Sequence, residues 1–265
     1  MGITEQIKDI ELASRRAWPA LEESESSLAL LRYARGVSRR ANSLTPLSPQ
    51  ADAMAGLMQL AERYYWGRGL PAIIRVASFM TAAQSMQSAL AAAGYQPEAP
   101  TAVMIRPLEK QPVVNGCRAL LSLGSRQWLA ASAVTNPERL EDQDLRQSLL
   151  DRIADPVNYL AFEQAGGFVA TAMAVRSGEA LGLFGIATAP AWQRQGLAGS
   201  LILQQLAWGQ MQGARYAYLQ VEESNLAAIR LYRKLGFTEL YSYCYYVKVA
   251  GNKSGLQVIK PELRP

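Results

Sequence analysis

The chain has 265 residues, 49% hydrophobic and 18% charged, with a net charge of +5, which excludes disorder and provides cores for one large or two small domains. It has no histidine and two cysteines, Cys117 and Cys244, without a CxxC pair, so no metal is expected, the thiols are read as free, and acid–base chemistry must rest on Glu, Asp, Tyr, Cys, Lys or water. No Lys/Arg-dense stretch is interleaved with aromatics and no apolar run approaches ~18 residues, so neither nucleic acid nor a membrane is expected as a partner.

The opening residues, Met1 to Asp9, are interrupted by charge too early for a signal peptide, and Gln6 stands where myristoylation requires Ser or Thr. A cytoplasmic protein is expected. Leu57–Gly69 reads as a helix stopped by glycine, followed by a strand at Ala72–Val76, a second helix ending at Gly94-Tyr95, and a strand at Thr101–Arg106. The same succession returns as Leu201–Gly213, Tyr216–Val221, a helix ending at Gly236-Phe237, and Leu240–Val249, with 144 residues from Gly69 to Gly213. Two related units are expected, residues 1–110 and 111–250, joined near Pro107–Pro112, with 251–265 as a flexible extension. Between the repeats lie a helix within Asp142–Ala154, a strand pair at Tyr159–Glu163 and Gly167–Val175, and a short strand at Gly182–Thr188. The alternation predicts α/β or α+β architecture.

The strand at Leu183–Thr188 leads through Ala189-Pro190-Ala191-Trp192 into Gln193-Arg194-Gln195-Gly196-Leu197-Ala198-Gly199-Ser200, which opens a long helix. Unpaired N–H groups and a partial positive charge at a helix start suit a pyrophosphate, and glycine lets the backbone come close to it. Arg194 adds a cation at the rim. Tight strand–helix packing is the plainer explanation of Gly196 and Gly199. The turn is neither GxGxxG nor a P-loop.

After the strand Tyr216–Val221 come Glu222-Glu223-Ser224-Asn225 and the run Leu226 to Phe237, containing Leu231-Tyr232-x-x-x-Gly236-Phe237. Together with the Gln193–Ala198 turn this resembles the GCN5-related N-acetyltransferase (GNAT) superfamily over residues 113–250. Ala17-Trp18-Pro19-Ala20 and Arg39-Arg40-Ala41-Asn42-Ser43 look like its tandem form, in which a degenerate first unit precedes the active one. The first half lacks the glycine turn and a counterpart of Tyr232. The resemblance implies two units, each a central mixed sheet flanked by helices.

The resemblance further implies transfer of an acetyl group from acetyl-CoA to a primary amine in a ternary complex. A strand bulge at Ile186, Ala187 and Thr188 would expose backbone groups to pantetheine and the thioester oxygen. Arg194, Gln195, Gly196, Leu197, Ala198 and Gly199 would hold the pyrophosphate, Asn225 would meet the pantetheine arm, and Tyr232 would protonate the departing thiolate. The family's glutamate base falls on Gln220, which cannot act so. Glu222 through water, Glu223, Tyr218 or a water chain remain open. Tyr241, Tyr243 and Tyr245 read as strand alternation rather than a cage for a cation. The acceptor is a small-molecule or peptide amine, and the protein a monomer or homodimer. A non-catalytic acyl-CoA-binding or interaction module is the alternative.

Overall fold

A computed structural model describes residues 2–47, 53–108, 120–136 and 142–251. The first half comprises α1 (Ile3–Ala17), β1 (Glu22–Glu25), β2 (Ala29–Tyr33), β3 (Leu44–Pro46), α2 (Met54–Trp66), β4 (Ala72–Ala77), α3 (Ala83–Ala92) and β5 (Gln96–Pro107). The second comprises β6 (Leu120–Ser122), α4 (Ser125–Thr135), α5 (Gln143–Leu150), β7 (Val157–Gln164), β8 (Gly167–Ser177), β9 (Ala180–Thr188), α6 (Leu197–Met211), β10 (Tyr216–Glu222), α7 (Leu226–Lys234) and β11 (Thr238–Lys248).

The helices of the repeat end for one physical reason. Gly69, Gly94, Gly213 and Gly236 lie at φ of 70°, 84°, 85° and 83°, where a Cβ would be strained. The next N–H then reaches back five residues, from Leu70 to Tyr65, Tyr95 to Leu90, Ala214 to Gly209 and Phe237 to Tyr232, at 2.9–3.0 Å. Each chain reversal delivers a strand to the same sheet.

That sheet is mixed and has eleven strands in the order β1-β2-β3-β4-β11-β5-β10-β9-β8-β7-β6. The β3–β4 and β9–β10 pairs are parallel. The last strand of each half lies in the other half: β11 between β4 and β5, and β5 between β11 and β10. Tyr245 of β11 thus faces Arg75 on one side and Glu98 on the other. A division at 110/111 divides the chain and leaves the sheet whole. Cys117, residues 109–112 of the expected join and residues 252–265 of the extension lie outside the described residues.

One face of the sheet is covered by α1 and α4, with Ile7, Ile10, Ala13 and Ala17 of α1 packed in the cluster that holds Val103, Phe184, Tyr218, Tyr241, Tyr243 and Tyr245. The other face carries α2 and α3 over β4, and α6 and α7 over β5, β9 and β10. Among the described residues no helix is long and apolar enough to cross a membrane.

Candidate active site

The parallel strands β9 and β10 are paired only from Ala180 and Tyr216 to Leu183 and Leu219. Both run on, β9 to Thr188 and β10 to Glu222, without pairing to each other. Opposite β8, Phe184 faces Met173 and Ala187 faces Thr171, so Gly185 and Ile186 together oppose the single residue Ala172. This is a β-bulge, and Gly185 at φ 59° supplies the left-handed residue it needs. It begins one residue before the expected Ile186–Thr188 segment. An isolated glycine inside a strand was its signal in the sequence.

Two side chains satisfy carbonyls at the bulge. The amide of Gln205, on α6 and fully buried, donates to the Ala172 carbonyl at 3.2 Å and to the Asn158 carbonyl at 3.1 Å, and accepts from the Asn158 amide at 2.9 Å. The Thr171 hydroxyl donates to the Gly185 carbonyl at 3.2 Å. Sequence reading missed both. A glutamine among the apolar residues of α6 was the available signal, because a buried amide needs a partner.

The turn after β9 ends at Gly196, the α6 N-cap, at φ 81° and with no side chain capping it. The first intrahelical bond runs from Ser200 N–H to the Gly196 carbonyl at 3.0 Å. The N–H groups of Leu197, Ala198 and Gly199 precede it and have no intrahelical acceptor by helix geometry. Arg194, at φ 61°, Gln195 and Gly196 are exposed. Packing does not explain the glycines. A Cβ on Gly196 would meet nothing within 4 Å, and one on Gly199 only Leu231 at 3.7 Å, an ordinary contact. By contrast, a Cβ on Gly209 of the same helix would strike Leu181 at 2.4 Å. The φ of Gly196 accounts for glycine there; Gly199 has no such reason in the fold.

A cleft of about 870 Å³ opens where β9 and β10 part. Ile186, Glu222, Asn225 and Tyr232 line it together with Gln220, whereas Ala187, Thr188 and the 194–199 turn lie outside its wall. Tyr232 is 8% exposed and meets Phe237 edge-on at 6.2 Å. Burial alone pushes its phenol up to about 12, with no charge or hydrogen bond contributing. Asn225 caps α7, its side-chain oxygen accepting from Ala228 N–H at 3.1 Å. Its amide nitrogen is not used in that cap. Gln220 is held at both ends, donating to the Ser14 hydroxyl at 2.7 Å and accepting from the Tyr243 hydroxyl at 2.9 Å. Glu222 is exposed. Tyr218 shares the sheet face of Gln220, as strand alternation implies, but is fully buried and outside the cleft wall.

The first half walls this cleft as well, through Trp18, Arg39, Arg40 and Thr101. Tyr241, Tyr243 and Tyr245 alternate into the core as expected of a strand, each 5% exposed, but Tyr243 and Tyr245 also line the cleft. Beneath them Arg75 grips Glu11 with bonds of 2.7 and 2.8 Å, and the Tyr241 hydroxyl donates to Glu11. Burial would raise the Glu11 pKa, but the Arg75 charge and these hydrogen bonds outweigh it and hold the carboxyl below its ordinary value.

The sequence profile of a family described as probable histone acetyltransferase Rv0428c C-terminal matches residues 4–246. The chain is 25% identical over 260 residues to the uncharacterized N-acetyltransferase YobR of Bacillus subtilis strain 168, covering 92% of this chain and 99% of that one. It is 32% identical over 193 residues to the mycothiol acetyltransferase of Thermobispora bispora, covering 65% of this chain and 61% of that one. A solved GCN5-related N-acetyltransferase from Kribbella flavida shares the fold with a TM-score of 0.66 at 16% identity, covering 95% of this chain and 97% of its own.

Proposed function

Because this chain belongs to the family of the probable histone acetyltransferase Rv0428c C-terminal region, and so to the GNAT superfamily, we propose that it moves an acetyl group from acetyl-CoA to a primary amine by direct attack in a ternary complex. The observation that carries this reading is the parting of β9 and β10 beyond Leu183 and Leu219. It leaves the β9 edge without a ladder partner on the β10 side, and Tyr232 and Asn225 line the cleft that results. The uncapped start of α6 fits a pyrophosphate, and the absence of any packing demand for glycine at 199 supports its close approach there.

In the proposed reaction, backbone groups at Ile186, Ala187 and Thr188 orient the thioester and donate to its oxygen as negative charge develops. The amine nitrogen forms a bond to the acetyl carbon, and the carbon–sulfur bond breaks. Tyr232 gives its proton to the leaving thiolate; with its phenol near 12 it is protonated at neutral pH. Glu222, exposed at the cleft wall, takes the amine proton through water. Gln220 takes no part in proton transfer: an amide lacks the basicity, and both its ends are engaged. The first half acts as a degenerate unit that supplies one wall of the acceptor site.

The test is thiol release from acetyl-CoA across a broad panel of amines, with CoA binding measured by calorimetry. Amine-dependent release and one CoA per chain are expected. Binding without turnover on any amine would favour the acyl-CoA-binding module, and two CoA per chain would refute a degenerate first unit.

A further inference from the structure

The arginines of the first half around the cleft are treated unequally by the fold. Arg39 hydrogen-bonds Glu98 at 2.6 and 3.1 Å, Arg32 holds Glu23 at 2.8 Å, and Arg75 holds Glu11. Arg40, which lines the cleft, has no ion pair or side-chain hydrogen bond among the described residues, and its Nε is buried without an acceptor. Glu11 feels the Arg40 charge, but its oxygens are already occupied by Arg75 and Tyr241. The Arg40 guanidinium carbon stands 5.4 Å from the ring centroid of Phe184, the residue just before the bulge. Contact with an aromatic ring holds a guanidinium in place and leaves its edge available for hydrogen bonds.

A second observation concerns another residue of the wall. Trp128 of α4, 2% exposed, lines the cleft too, and its indole Nε1 is buried without an acceptor. Guanidinium and indole N–H groups only donate, so the groups able to satisfy them are acceptors. Among the described residues of the wall Glu222 is the one carboxylate, and Arg39 is already paired with Glu98, which leaves Arg40 as the cation there without a carboxylate bonded to it.

We propose that Arg40 receives a carboxylate of the acceptor, so that the substrate is a small amine that also carries a carboxylate, such as an amino acid. This rests on the acetyl-transfer reading. The amino group points toward the bulge and the Glu222 side, and the carboxylate pairs with the guanidinium. Because Phe184 adjoins Gly185, amine and carboxylate are separated by few bonds. The residue that selects the substrate thus comes from the first half, while the proposed catalytic groups come from the second.

The experiment compares amino acids with their carboxamides and with the amines lacking the carboxyl group, for wild type, Arg40→Lys and Arg40→Met. Acetyl transfer and binding to the CoA-loaded protein are both measured. Wild type should prefer the carboxylated member by about 10- to 100-fold in kcat/KM, the range of a charge-assisted hydrogen bond. Arg40→Met should bring that ratio close to one, chiefly through KM, and Arg40→Lys should keep part of it. Circular dichroism and CoA affinity report whether each variant is folded. A wild-type preference for the neutral amines, or a preference that survives in folded Arg40→Met, overturns the inference and leaves acetyl transfer standing. Arg40-dependent binding of carboxylated amines without transfer to any amine overturns the acetyl-transfer reading and leaves the carboxylate site standing. The absence of both binding and transfer for every carboxylated amine also overturns the inference.

Discussion

The side-chain amide of Gln205 donates to the backbone carbonyl of Ala172 at 3.2 Å, tying α6 to the residue that faces the β9 bulge. The same helix begins at the uncapped turn after β9, so one element positions both the proposed oxygen-binding backbone and the proposed pyrophosphate site. Gln205→Met preserves most of the volume but leaves the Ala172 carbonyl and the Asn158 side chain without their partner. A loss of about 1–3 kcal/mol in stability is expected, the cost of an unsatisfied buried polar group. kcat should fall with it, more than CoA affinity does. Urea unfolding and steady-state kinetics check this, and an unchanged kcat in the destabilised variant would separate the bulge from catalysis.

The glycine stops of the repeat were legible because a positive φ leaves a residue-type signature, as at Gly94 and Gly236. Strand exchange was not legible. The pairing of Tyr245 with both Arg75 and Glu98 depends on contacts far apart in sequence, and β11 carries the same alternation whichever neighbours it has. The helix α1 was read only for targeting signals, although Ile7, Ile10, Ala13 and Ala17 make a stripe at helical spacing. β1 is four exposed polar residues and β3 and β6 are three residues each, too short for a period. At the site, the residue types in the turn and around Tyr232 suggested the place. The segments holding Trp18 and Arg40 carried the resemblance to the tandem form, but their meeting with Thr101 at the cleft was not legible, because it arises only through the tertiary fold.

Gly199→Ala separates fold from ligand. The new Cβ lies in ordinary contact with Leu231 at 3.7 Å, and alanine is favoured over glycine in a helix by up to ~1 kcal/mol. The free protein should therefore be as stable as wild type or more so. CoA affinity should drop by about 10- to 100-fold, because the methyl group holds the phosphates away from the N–H groups. Thermal unfolding and calorimetry read the two effects independently, and unchanged CoA affinity would remove the pyrophosphate from this turn. Gly196 is a poorer probe, since its φ of 81° makes any side chain strained.

Tyr232→Phe keeps the ring against Phe237 and removes a hydroxyl that no charge or hydrogen bond perturbs. Stability should change little and CoA affinity should hold, while kcat falls by about 10²–10⁴-fold. The deficit should shrink with an acyl donor whose thiol is more acidic. With the wild-type phenol near 12, its deprotonation lies above the ordinary assay range, and the variant should not shift any limb of the pH–rate profile near neutrality. Wild-type kcat on a substrate for which chemistry is limiting would reduce Tyr232 to a packing residue.

Glu11 links pH to stability. Its carboxyl is held below the ordinary value, so its contribution is present above the unfolded carboxyl pKa and is lost as pH falls through the lower folded value. Glu11→Gln should cost about 2–3 kcal/mol near neutrality, below the 3–5 kcal/mol of a fully buried pair because Glu11 keeps 28% of its side chain accessible. The difference between wild type and variant should narrow in acid. Urea midpoints across the acid range measure it, and a constant difference would assign the loss to packing instead of charge.

Splitting the chain between residues 110 and 111 tests the exchange of strands. Without the first half, β10 loses the partner that pairs with it from Tyr216 opposite Pro107 to Glu222 opposite Thr101. β11 loses both neighbours, including the pairing from Tyr243 opposite Ala77 to Lys248 opposite Ala72. Leu149 of α5, fully buried, loses Ala20, Ala34 and Ala41 around it, and Asp155 loses its bonds of 2.5 and 2.9 Å from Arg16. The bared strands present unpaired backbone along their length, which favours association with other chains. Residues 111–265 alone should therefore aggregate or remain unfolded, and the isolated first half should do the same because it loses β11. Co-expression of the two pieces should restore a soluble complex with one copy of each, since the exchanged strands need no covalent link once paired. Size-exclusion chromatography, circular dichroism and CoA binding on the separate and joined pieces decide the matter. A monomeric 111–265 fragment with native circular dichroism and full CoA affinity would mean that β5 and β4 contribute nothing essential to the second half. It would also make the first half a dispensable neighbour of the site in place of its structural partner.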